Sequence, residues 1–87
     1  MKFSVSLNIT GRKIEDETFV FNRQNSHIHS FNKAGVFLWE KAQKIDTSDG
    51  LIDAFLQQYD VDIATATRDV EDFLHSLREE SLIKVVI

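Results

Sequence analysis

The chain has 87 residues, enough for one domain with a small core, since a chain of this length buries only about 60% of the surface its unfolded form exposes. It has no cysteine, which excludes a disulfide framework, a thiolate metal site and a cysteine nucleophile. The net charge of −4 is uneven, with seven Lys/Arg against four Asp/Glu in residues 1–44 and three against ten in residues 45–87, so the second half is a poor surface for phosphate.

Phe3, Val5, Leu7 and Ile9 alternate with Lys2, Ser4, Ser6 and Asn8, the period of a half-buried strand. The same alternation lacks the continuous apolar run of a signal peptide, and no segment is long enough to span a bilayer. A soluble cytoplasmic protein is the expectation. Gly11 marks a bend or bulge, Ile14 resumes pairing, and Glu15-Asp16-Glu17 makes a polar turn. Thr18-Phe19-Val20-Phe21 is a second strand, rich in β-branched and aromatic residues. Arg23-Gln24-Asn25-Ser26 is a turn in which Asn25 is the candidate for positive φ. His27 to Phe31 is a third, short strand, and the two tight connections make an antiparallel meander.

At Asn32 the apolar period changes from two to three or four. Asn32 reads as the N-cap of a first helix whose inner stripe is Gly35, Leu38, Trp39 and Ala42. Phe37 falls beside that stripe, as a half-buried flank or an exposed contact. Gly35 costs helix propensity and suggests that a neighbouring backbone comes close. Asp46-Thr47-Ser48-Asp49 caps a second helix, with Leu51, Ile52, Phe55, Leu56 and Tyr59 on its buried face. Asp60-Val61-Asp62 ends it. A third helix follows over about residues 64–80, with Ala66, Val70, Phe73, Leu74 and Leu77 on one face. The apolar tail Leu82 to Ile87 either pairs as an added strand or packs over the core. Three short strands followed by three helices are an α+β arrangement, an N-terminal three-stranded antiparallel sheet with helices on one face, and such a sheet has free edges. Residues 1–87 form one unit, without repeats, linkers or proline.

No motif for catalysis is present: no Gly-rich phosphate loop, no nucleophile elbow, no HExxH helix. No cofactor is expected. His27 and His29 share a strand face, but the sequence places no third ligand beside them, so no metal site is assigned. His75 and the carboxylates Asp69, Glu71 and Asp72 read as a solvated helix surface. A winged-helix DNA-binding domain has the same element order, but its third helix enters the major groove. Here that helix carries two arginines against Asp69, Glu71, Asp72, Glu79 and Glu80, the wrong sign for a phosphate backbone, so no nucleic-acid partner is expected.

The run Ile28-His29-Ser30-Phe31-Asn32-Lys33-Ala34-Gly35-Val36-Phe37-Leu38-Trp39-Glu40 resembles the strand–Leu-Asn–helix–Ile-Trp signature of PqqD-like proteins, also called RiPP recognition elements. Arg68-Asp69-Val70-Glu71-Asp72-Phe73-Leu74-His75-Ser76-Leu77 is similar to their third helix, and Leu82-Ile83 to the apolar pair that closes the domain. Phe31 stands where the family usually has Leu. Ser81 stands where a Gly commonly ends the third helix.

The resemblance implies a winged-helix-like domain that is not an enzyme. Such a domain binds the leader segment of a ribosomally made precursor peptide and presents it to a modifying enzyme. That enzyme is a radical SAM protein in coenzyme PQQ biosynthesis, or a protease or other maturase in related natural-product pathways. The leader adds to the third strand and lies beside the third helix. On that basis the expected peptide-binding residues are His27, Ile28, His29, Ser30 and Phe31 on the strand, with Asp69, Phe73 and Ser76 on the helix flank. Leu74, Glu71 and Arg78 would form the opposite flank. The alternative is a winged-helix DNA-binding domain or a self-associating regulatory domain, such as a homodimer paired through free strand edges.

Overall fold

The computed structural model describes residues 1–7, 9–14 and 17–86. In chain order the elements are β1 (Lys2–Val5), β2 (Ile9–Ile14), β3 (Glu17–Asn22), β4 (His27–Ser30), α1 (Lys33–Ala42), α2 (Ser48–Gln58), α3 (Ile63–Glu79) and β5 (Ile83–Val86). The three-stranded antiparallel sheet has the order β2-β3-β4, and three helices follow it. The fold is α+β, as the order of periodicities predicts.

The third strand, expected over His27 to Phe31, ends at Ser30, and the first differs more. The alternation from Phe3 to Ile9 is not one strand. β1 leaves the meander and pairs with β5, Phe3 opposite Val85 and Val5 opposite Ile83. The chain breaks out of strand geometry at Ser6 because its N–H donates to the Leu82 carbonyl (3.0 Å) and its hydroxyl to the Ser81 carbonyl (2.9 Å). Leu7, which continues the alternation, is almost fully exposed. Asn8 lies outside the described residues. On its other side β1 is held to the α1–α2 connection, where the Phe3 N–H donates to the Asp46 carbonyl at 2.9 Å. The apolar tail therefore closes the domain as a strand, with Leu82 and Ile83 buried. Ile87 lies outside the described residues.

β2 runs straight through Gly11, which pairs with Val20, so no bend or bulge forms there. Ile14 pairs with Glu17, which begins β3, while Glu15 and Asp16 of the expected turn lie outside the described residues. In the β3–β4 turn the left-handed residue is Ser26 (φ 62°), not Asn25. The Asn25 side chain instead accepts a bond from the His27 N–H at 3.0 Å, an Asx turn that forces the positive φ onto the next residue.

Asn32 caps α1 as expected, Thr47 of the expected cluster caps α2, and Asp62, expected only to end the second helix, caps α3. The Asn32 side chain accepts from the Gly35 N–H at 2.8 Å, Thr47 from Gly50 at 3.1 Å, and Asp62 from Thr65 at 2.7 Å. The Thr65 bond, with Arg68 a smaller influence, holds the Asp62 carboxyl below the usual aspartate range. The buried residues of α1 are Gly35, Leu38, Trp39 and Ala42. On α2 Leu51, Ile52 and Phe55 are buried, while Leu56 and Tyr59 are only partly covered. Phe37 is a half-buried flank, its ring edge-on to Tyr59 at 5.6 Å. On α3 the core stripe is Ala66, Val70, Leu74 and Leu77. Leu74 is fully buried, so it is core and not a flank. Among the described residues no helix is long and apolar enough to cross a membrane.

The end of α3 sets the position of β5. Ser81 takes the left-handed conformation (φ 61°) that a glycine more often supplies. The Leu82 N–H donates to the Leu77 carbonyl (2.9 Å) and the Ser81 N–H to the Arg78 carbonyl (3.1 Å), the two bonds of a Schellman cap. Leu77 and Leu82, the apolar pair of that motif, are both buried. The non-glycine residue keeps the cap, at the strain a Cβ carries in the left-handed region.

Candidate functional site

β4 is an edge strand. Its residues pair with β3 on one side, Ser30 opposite Phe19 and His27 opposite Asn22, and no described strand pairs with the other side. Side chains alternate across it. Ile28 lies opposite Phe21 and is 67% exposed. His29 lies opposite the buried Val20 and is turned inward toward the end of α3. An unpaired edge of this kind offers free backbone N–H and C=O groups to another chain.

The free edge borders a groove of about 460 Å³ between β4 and α3. Ile28, His29, Ser30 and Phe31 line one wall, and Phe73, Ser76, Leu77 and Glu80 the other; Asn32, Gly35 and Leu82 complete it. Phe31 is the aromatic floor, with its ring 5.7 Å from Trp39 and 5.5 Å from Phe73. Phe73 departs from the core stripe in being only partly covered, which leaves part of its ring to the groove. The Ser76 hydroxyl donates back to the Asp72 carbonyl at 3.0 Å, so its oxygen remains an acceptor.

Gly35 explains how Phe31 sits so low. A Cβ at residue 35 would lie 2.9 Å from the Phe31 Cβ and 3.2 Å from the Asn32 Oδ1. What approaches Gly35 is thus the Phe31 side chain, not the neighbouring backbone that the sequence suggests.

The expected site residues separate into groups. Ile28, His29, Ser30, Phe31, Phe73 and Ser76 meet around one groove. Asp69 lies outside it, in an adjoining depression of about 300 Å³ lined also by Asp72, Phe73, Asn32, Ala34, Gly35, Leu38 and Phe55. His27 stands at the strand's start, largely exposed, with its ring 6.3 Å from that of His29. Sequence reasoning did not select Asn32, Gly35, Leu77, Glu80 and Leu82. Glu80 carries one signal that was available: a carboxylate at a helix C-terminus opposes the helix dipole, so its position invites an explanation other than helix stability.

Glu80 brings a third polar group to the two histidines. Its Oε2 lies 3.9 Å from His27 Nδ1 and 3.7 Å from His29 Nε2. The His29 Nε2 atom is shut off from solvent and has no hydrogen-bond partner among the described residues. The acidic groups on this side of the molecule, Glu80 in the groove and Asp69 and Asp72 beside it, give its helix wall a negative potential.

The sequence pattern of the family described as coenzyme PQQ synthesis protein D (PqqD) matches residues 17–83. A search of curated protein sequences finds no match. Two solved structures share the fold. TbiB1, in complex with the TbiA(beta) leader peptide, superposes with a TM-score of 0.89 at 24% identity, covering 97% of this chain and 98% of that one. A lasso peptide synthetase B1, complexed with the leader peptide, superposes with a TM-score of 0.85 at 13% identity, covering 98% of this chain and 100% of that one.

Proposed function

Since the chain belongs to the PqqD family, we propose that it is a non-catalytic adaptor that binds the leader segment of a ribosomally made precursor peptide. The leader adds as a strand to the free edge of β4 and lies in the groove against α3. Main-chain pairing supplies affinity with little sequence demand, and the groove supplies choice. The bound leader is then presented to a modifying enzyme in the cytoplasm, a radical SAM protein, a protease or another maturase.

The observation that carries this reading is the juxtaposition of an unpaired strand edge and a half-apolar groove. Phe31 and Phe73 offer an apolar anchor point within it. A peptide side chain seated on two rings gains burial without needing a matched polar partner. The leader peptides held by the two structures of the same fold support the same assignment. The groove's acidic margin further favours a leader with a Lys or Arg near Asp69 or Asp72.

The test starts from the genes beside the one for this chain. A short precursor next to a maturase gene supplies the leader, which is synthesised with a fluorophore and titrated with the protein by anisotropy. Saturable binding of the leader, and none of a scrambled leader of the same composition, is expected. Equal binding of both peptides, or of neither, would overturn the assignment.

A further inference from the structure

The groove's upper end holds an arrangement that peptide binding does not require. One ring nitrogen from each of His27 and His29 and a Glu80 carboxylate oxygen all lie within 4.8 Å of one another. We propose that these three residues bind a divalent first-row cation of the zinc type, through two imidazole nitrogens and one carboxylate oxygen. The inference rests on the geometry of β4 and α3 and is independent of the leader.

Four observations carry it. The first is spacing. Four-coordinate zinc with bonds of about 2.0–2.1 Å holds its donors roughly 3.3 Å apart. The Glu80 oxygen is already 3.9 Å and 3.7 Å from the two nitrogens, and the ligand atoms of the set lie within 4.8 Å of one another, so contraction of about half an ångström at the oxygen and of up to about 1.5 Å between the imidazoles completes the set. The second is freedom where it is needed. The His27 and Glu80 side chains are about half exposed or more and can make that movement, while His29 is mostly covered and fixed.

The third is the buried nitrogen. His29 Nε2 is closed to solvent and forms no hydrogen bond among the described residues. A buried unpaired polar atom is costly, and a cation beside it supplies the missing partner. The fourth is the framework. The backbones of His27 and His29 are pinned by pairing with Asn22 and Val20. The same Asn22, itself buried, donates its side-chain N–H to the Glu80 carbonyl at 3.4 Å, tying the third ligand's backbone to the strand that holds the other two. Preorganised ligands of this kind keep most of the binding energy for the metal.

Charge agrees with the sign of the ligand. The carboxyl end of α3 carries the negative end of the helix dipole, and there Glu79 and Glu80 outnumber the one basic residue of the last turn, Arg78. Among the described residues Glu80 makes no ion pair with Lys or Arg. Two histidines and one carboxylate are an established zinc set that leaves a fourth tetrahedral position open.

The experiment uses the full, untagged chain, freed of metal by chelation, with no peptide present. Zinc chloride is titrated by calorimetry, and cobalt(II) is added in a parallel sample to read tetrahedral coordination by visible absorption. One zinc per chain and a tetrahedral cobalt spectrum are expected. Glu80→Gln and His29→Ala should each lower zinc affinity at least about tenfold. Circular dichroism checks that His29→Ala folds; Glu80→Gln changes a half-exposed side chain and keeps the test valid if it does not. His75→Ala removes the exposed His75–Glu79 pair (3.1 Å) and should leave the affinity unchanged. Absence of stoichiometric binding, or binding equal in Glu80→Gln and the unmodified chain, would overturn the proposal. Because the leader takes no part, either result leaves the peptide-binding assignment to its own test.

Discussion

Replacing Gly35 by alanine sets two effects against each other, and their magnitudes fix the sign. Helix propensity alone favours alanine by about 0.8–1.0 kcal/mol. The added Cβ, however, would stand 2.9 Å from the Phe31 Cβ, an atom fixed to the backbone that no rotamer change can remove. Overpacking of this kind costs about 1–3 kcal/mol. The same Cβ would lie 3.2 Å from the Asn32 oxygen that caps α1 at 2.8 Å, putting at risk a cap worth roughly 1 kcal/mol. With the cap lost, the costs exceed the gain, leaving a net loss of about 1–3 kcal/mol. For a domain of this size that lowers the unfolding midpoint by about 4–24 °C. Thermal unfolding followed by circular dichroism measures it. A midpoint equal to or above that of the unmodified chain would show that Phe31 does not rest on Gly35, and the account of the groove floor would fail with it.

Three further outcomes follow from individual residues. Ser81→Gly should raise stability, because it relieves a left-handed Cβ strain of about 1–2 kcal/mol against a smaller entropic loss, and the midpoint of denaturant unfolding should rise accordingly. Asp62→Asn should leave stability near neutral pH almost unchanged, since Asn caps as well as Asp. The Asp62 carboxyl is held below its ordinary range in the folded state, so its contribution is complete above the unfolded value and fades as pH falls through the lowered folded value. Melting curves across that acid range should therefore fall less steeply for Asp62→Asn than for the unmodified chain. Asp69→Asn should weaken leader binding by more at low salt than at high salt, because the Debye length grows from about 8 Å to about 30 Å on dilution; equal affinities at low salt would exclude a basic leader residue there.

Much of the scaffold is legible in the sequence because it depends on local chemistry. Asn32 and Thr47, the latter within its cluster, announce a helix start by a side-chain acceptor three residues before the N–H it binds, and Asp62, read only as the end of the second helix, caps α3 in the same way. The stripe Gly35, Leu38, Trp39 and Ala42 is buried as its spacing requires. Other features depend on which element comes to lie beside which, and periodicity carries no such information. The alternation of Phe3 to Ile9 shows a face but not a partner, so it does not reveal that β1 pairs with the far end of the chain. Asn25 and Ser26 are both plausible hosts for the left-handed residue, and the Asx bond to His27 decides between them.

The candidate site divides in the same way. Ile28 to Ser30 of β4, Phe31 just beyond its end, and Phe73 and Ser76 of α3 meet around the groove, the helix pair as its spacing of three allows. Asp69 is one turn too early on α3 and falls into the next depression. Glu80 is the residue that spacing could not find. It sits 51 residues along the chain from His29, beyond three helices, and only the packing of α3 against β4 brings them within 3.7 Å.

The central claim is that a peptide strand pairs with the outer edge of β4, and backbone amides report it directly. A ¹⁵N-labelled sample titrated with the cognate leader should show its largest amide shifts from His27 to Phe31, with slowed hydrogen exchange at the edge-facing N–H groups. Saturable binding that leaves those amides unshifted would contradict strand addition and place the leader elsewhere on the molecule.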